Sequence, residues 1–171
     1  MSVGKKLSII AGIITLVSTY LMSWYAMDIG GDIYYAGGLG IINNIMNMFT
    51  NAQALETTLG IPFYAVYIVA VVLILFLAAG IFQILGVKSR AMVILGTLLS
   101  LGVGSLIWLG SANVIDAANW IENMIGTNQP LVDGFIPWQI LGLDTFDIGM
   151  YLLYAGGILG IVASVYGPSQ F

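Results

Sequence analysis

Four stretches of about twenty residues each, at positions 7–26, 63–86, 91–112 and 148–167, contain no Asp, Glu, Lys or Arg. A hydrocarbon core of about 30 Å takes ~20 helical residues to cross. A backbone in lipid must also satisfy its hydrogen bonds within its own segment, which leaves helices or closed barrels. Barrel strands need only ~10 residues of alternating polarity, a pattern absent here. The expected fold is therefore all-α: a polytopic membrane protein of four transmembrane helices in one domain covering residues 1–171. Composition agrees, with 60% hydrophobic and only 7% charged residues, against about 25% charged in a soluble domain.

The charges orient the bundle. Lys5, Lys6, Lys88 and Arg90 are the only basic residues, and an even number of spans places all four on one side. The eight acids (Asp28, Asp32, Glu56, Asp116, Glu122, Asp133, Asp144 and Asp147) all fall in the segments 27–62 and 113–147 on the other side. The positive-inside rule puts both termini and the 87–90 link in the cytoplasm and the two long segments outside. The first span reads as an uncleaved anchor, because a secretory h-region is shorter and Trp24 stands two positions before Ala26, where cleavage wants a small residue. Trp24, Trp108, Trp120 and Trp138 all map to the outer ends of spans or to the outer segments, and are expected to form an outer interface. A chain without cysteines or Asn-x-Ser/Thr sequons fits a prokaryotic cell membrane.

The long outer segments are too apolar for disorder. Ile41, Ile42, Ile45, Met48, Phe49, Ala52, Leu55 and Leu59 recur at helical steps and predict an amphipathic helix of about five turns, weakened at Thr50 and Asn51. A shorter amphipathic helix is expected from Ile115 to Ile125. Neither carries Lys or Arg, so the two are expected to dock on each other across the outer mouth rather than bind anionic lipid.

Small residues recur every four positions: Gly4, Ser8 and Gly12; Gly96, Ser100 and Gly104; Gly156, Gly160 and Ser164. Such stripes let helix backbones approach closely, where dispersion replaces the hydrophobic drive that lipid does not supply. They serve packing within one bundle or assembly with another subunit, and three seams on four helices exceed what one pairing needs. The second span is bulkier and is the expected lipid-facing helix.

Chemistry is sparsely encoded. Cysteine and histidine are absent, which removes thiolate and imidazole ligands and the commonest general base. Four basic residues cannot form a nucleic-acid footprint. Asp28 and Asp32 flank a glycine pair but supply too few oxygens for calcium. Asp144 or Thr145 is expected to cap the fourth span, with Asp147 in its first turn. Thr15, Ser18, Thr19, Thr97, Ser100, Ser105 and Ser164 read as hydroxyls bonding back along their own helices, and Gln83 as a bridge to a neighbouring helix. No catalytic, cofactor-binding or metal residue is assigned.

The layout of two long outer loops and a tight inner turn is similar in topology to claudin-type tetraspan proteins. Those carry a tryptophan–GLW–cysteine pattern in the first outer loop. This chain has Gly38-Leu39-Gly40 there, no cysteine, and a helical rather than sheet-like pattern. The expected function is that of a non-enzymatic membrane subunit, bound to lipid and to copies of itself or other membrane subunits through the glycine seams and outer helices. The alternative is an oligomeric channel or carrier for a neutral or cationic small solute.

Overall fold

The computed structural model describes residues 2–29, 31–111 and 145–166. The chain is mostly helical. Helix α1 (Val3–Leu21) leads into an antiparallel hairpin of β1 (Tyr25–Ile29) and β2 (Asp32–Ala36). Helices α2 (Gly38–Thr50), α3 (Ala52–Leu59), α4 (Phe63–Leu77), α5 (Ala79–Leu85) and α6 (Arg90–Ser111) follow. A short strand β3 (Thr145–Phe146) and helix α7 (Ile148–Tyr166) complete the described chain. Helices α1, α6 and α7 are each long and apolar enough to cross a membrane, and α4 with α5 passes the same test as a pair bent by 49°.

Four helices form the bundle. Helix α1 lies antiparallel against α7, its most extensive partner, and α5 and α6 close the ring on the other side. The bundle is packed inside out relative to a water-soluble protein. On α1 the buried residues are Gly4, Ser8, Ala11, Gly12, Thr15, Ser18 and Thr19, whereas Ile10, Ile13 and Val3 face outward. The same holds for the second half of α7, where Gly156, Gly157, Gly160 and Ala163 are buried and Ile158, Ile161 and Val165 are exposed, while its first turns bury Met150 and Leu153.

The run at 63–86 is not one straight span. Its helix breaks at Ala78 (φ −90°, ψ 0°), although alanine is the best helix former, so the break is set by packing rather than by local propensity. The Tyr20 hydroxyl donates to the Leu77 carbonyl at 2.7 Å, and such capture of a backbone acceptor accompanies a kink. Beyond the break α5 joins the bundle, while α4 leans outward and packs on α2 and α3.

The first run also ends earlier than its apolarity suggests. Helix α1 stops at Leu21 because Met22 turns extended (φ −116°, ψ 145°), and Tyr25 and Ala26 belong to a strand. The Trp24 indole N–H donates to the Ser18 carbonyl at 3.0 Å, satisfying one of the acceptors a helix C-terminus leaves open.

The 27–62 segment carries sheet as well as helix, a correction to the purely helical expectation. Strand β1 lies between β2 and β3, with Ile29 opposite Asp32 and Tyr25 opposite Phe146. Gly31 takes φ +97° in the turn, and its N–H donates to Asp28 Oδ1 at 2.8 Å. The predicted five-turn amphipathic helix is split into α2 and α3 at Asn51. Ile41, Met48, Ala52 and Leu55 form its buried face, in one core with Trp24, Val66, Ala70, Leu73 and Phe76. The expected helix at 115–125 lies outside the described residues.

Candidate functional site

Gln83 is the one side-chain amide in the four apolar runs. Helix α5 brings it, fully buried, to the middle of the bundle. The Thr15 hydroxyl of α1 donates to Gln83 Oε1 at 2.7 Å. Gln83 Nε2 faces Ser100 Oγ of α6 at 3.4 Å and the Gly156 carbonyl of α7 at 3.5 Å, long contacts that contribute less than the first. The Ser8 hydroxyl donates to the Gln83 backbone carbonyl. One residue is thereby tied to all three other helices of the bundle.

Glycines make this approach possible. A Cβ built on Gly96 would collide with the Ala79 carbonyl oxygen and sit 2.9 Å from Gln83 Cγ. One on Gly160 would meet Thr97 Oγ1 and lie 3.1 Å from Gln83 Nε2. Gly12 faces Gly80, at 2.5 Å from its carbonyl oxygen to a built Cβ, and Gly156 faces Thr15 and the Ala11 carbonyl. Gly12, Gly96, Gly156 and Gly160 are thus closed by helices of the same chain, the first of the two uses open to such seams. Ser100 belongs to the cluster and also donates to the Thr97 carbonyl at 3.1 Å. Gly104 packs more loosely, with Leu153 Cδ2 at 3.3 Å from a built Cβ. Ser164 stands apart from the cluster and donates to the Ile161 carbonyl at 2.7 Å.

The hydroxyls divide in a way the sequence did not indicate. Thr19 bonds back to the Thr15 carbonyl at 2.8 Å, as expected for its type. Ser8 and Thr15 instead reach Gln83, and Ser18 donates to the Gly149 carbonyl at 2.6 Å. Thr97 Oγ1 is buried and has no hydrogen-bond partner among the described residues.

A second buried polar group closes the hairpin end of the bundle. Asp147 is fully buried and occupies the N-cap position of α7, a correction to its expected place in the first turn. Its Oδ1 accepts the Ile148 N–H at 2.6 Å, and its Oδ2 accepts the Ser23 hydroxyl. The Asp147 N–H donates to the Trp24 carbonyl and the Gly149 N–H to the Ser23 carbonyl, both at 3.0 Å. The carboxylate also lies where the partial positive charge of a helix N-terminus favours it. No local signal marks this clasp, because its halves are 124 residues apart in the chain.

Trp24 is likewise corrected from an interfacial aromatic to a core residue: it is fully buried and packs edge-on to Phe76 with ring centroids 5.4 Å apart. Trp108 is exposed on α6. Trp120 and Trp138 lie outside the described residues.

The central cluster consists of hydroxyls, one amide and backbone carbonyls. Such groups orient helices through directional bonds in a low-dielectric interior. They offer no nucleophile beside a base. Among the described residues no group of three or more acidic side chains is placed to hold a metal ion. Compared with known protein families, with curated proteins and with solved structures, the chain matches none.

Proposed function

We propose that the chain is a non-enzymatic integral membrane protein that crosses a prokaryotic cell membrane four times. Both termini and the 87–90 link lie in the cytoplasm, the hairpin end lies outside, and the protein acts as a structural or accessory subunit. The observation that carries this reading is the inverted packing of the bundle. Around Gln83 its interior is mainly glycine, alanine, serine and threonine, while bulky aliphatic side chains cover the outside of α1, α4 and α7. In water the aliphatic side chains on the outside of those helices would forfeit their burial. In lipid, close small-residue packing and interhelical hydrogen bonds are the available adhesion.

Because the glycine seams are filled within the chain, contact with other subunits falls to the aliphatic belt and the segments at the hairpin end. The same closure favours an accessory subunit over a solute pathway through the bundle. The test uses the absence of native cysteines. Single cysteines at Gln53 and Ser89 are treated in intact cells with a membrane-impermeant maleimide, and the purified protein is sized in mild detergent with mass spectrometry of what accompanies it. Labelling at 53 but not 89, with a defined assembly, is expected. Labelling at 89 in intact cells, or a lone chain that conducts solute in liposomes, overturns the proposal.

A further inference from the structure

The break between α2 and α3 opens a cleft of about 370 Å³ beside the start of α4, near the lower end of the range of small-ligand sites. Its walls are of two kinds. Phe49, Phe63 and Tyr67 present ring surface, and Thr50, Asn51 and Gln53 present hydroxyl and amide groups. Phe49 and Tyr67 lie nearly parallel at 6.0 Å, and Phe63 stands at 90° to Tyr67 at 6.3 Å. The three rings make a corner whose members are 38–46% exposed, so ring surface is accessible to a ligand.

Charge selects the ligand. Glu56 follows Gln53 by three residues and Ala52 by four on α3, which places it on the same side of the helix one turn beyond those two lining residues. All four basic residues of the chain stand elsewhere, at Lys5, Lys6, Lys88 and Arg90. An anionic ligand would meet a carboxylate and no counter-charge. A compact cation finds aromatic rings, whose quadrupoles attract it within about 6 Å, and a carboxylate one helical turn away. We propose that this cleft binds an alkylammonium group, supplied by a zwitterionic lipid headgroup or by a free small cation. The inference does not depend on the subunit role argued above, because it concerns a site complete within one chain.

The full-length protein in non-ionic micelles is titrated with choline, and with 3,3-dimethyl-1-butanol as its uncharged isostere, while saturation transfer to the ligand methyl groups is followed by NMR. Saturable transfer is expected for choline, with the isostere weaker by roughly fivefold, the scale of one exposed cation–π contact. Tyr67→Phe keeps the ring and retains binding. Phe49→Leu, Tyr67→Leu and Glu56→Gln each weaken it, and the Glu56 variant, which alters only a partly exposed charge, stands as the test if an aromatic variant fails to fold. Equal binding of choline and its isostere, displacement of choline by glucose at like concentration, or no effect of Glu56→Gln and Phe49→Leu overturns the proposal. In phosphatidylcholine nanodiscs a weakened response to added choline, compared with phosphatidylglycerol nanodiscs, assigns the lipid headgroup as the source. Equal responses in the two assign the free cation.

Discussion

Two glycines of α6, six positions apart, separate close packing from mere tolerance. At Gly96 an added methyl group meets the Ala79 carbonyl oxygen, and Gln83 N and Cγ both lie 2.9 Å away. Two of these three are backbone atoms of α5, so relief requires α5 and α6 to part. At Gly102 nothing lies within 4 Å. Replacing glycine by alanine inside a helix gains about 0.8–1.0 kcal/mol of propensity at either site, so that benefit cancels in the difference between the two variants. What remains is overpacking at position 96, on the order of 1–3 kcal/mol. At ~2–4 °C per kcal/mol for a chain of this size, Gly96→Ala should melt about 6 °C below Gly102→Ala, and Gly102→Ala at or slightly above wild type. Thermal unfolding of the three proteins in one mild detergent, followed by far-UV circular dichroism, measures this directly. Melting points of the two variants within one degree of each other, or in reversed order, would refute the claim that α5 and α6 meet backbone to backbone at Gly96.

Gln83→Leu keeps side-chain bulk but removes the bond from Thr15; interhelical bonds of this kind contribute about 0.6–1.7 kcal/mol, so the same melting assay should record a loss of a few degrees and no change of helix content. Asp147→Ala strips α7 of its cap and Ser23 of its acceptor, costing about 1–2 kcal/mol, and should speed amide exchange at Ile148 while Asp147→Asn preserves most of the protection. Gly60 closes α3 at φ +65° with no atom within 4 Å of a built Cβ, so Gly60→Ala is a purely conformational change that should lower stability by about 1 kcal/mol, with Gly60→Asn closer to wild type in the melting assay.

What the sequence reveals about this fold follows the range over which its signals act. Hydropathy is local, and it located α1, α6 and α7 within a few residues. The helical periodicity from Ile41 to Leu59 is local too, and the weakness noted at Thr50 and Asn51 is where α2 and α3 part. The end of α1 was not legible: Trp24-Tyr25-Ala26 is as apolar as the helix before it, and pairing with β2 and with the distant Phe146 and Asp147 draws it into a sheet and a clasp. For Gln83, chemistry announced a bridge, since a lone amide in an apolar run needs a partner. Its partners on α1, α6 and α7 depend on which helices become neighbours. The glycine stripes likewise signalled close approach without saying to what.

The bend at Ala78 follows from two packing regimes stacked along one bundle. Around Gln83 the helices meet at glycines, with Gly12 on Gly80 and Gly96 on Ala79. Contact there is backbone against backbone, with no side chain between the helices to set the spacing. Toward the hairpin the same space must admit Trp24 and Phe76, both fully buried. A straight helix cannot touch α1 at glycine distance and, within one turn, stand clear of an indole and a phenyl ring. Turning by 49° at the smallest residues of the run resolves the conflict. It also frees the Leu77 carbonyl that Tyr20 then occupies and swings α4 out to form the platform on which α2 and α3 rest. The break in this apolar run is therefore a requirement of the packing on either side of it, and it also sets where the aromatic corner at the α2–α3 junction can stand.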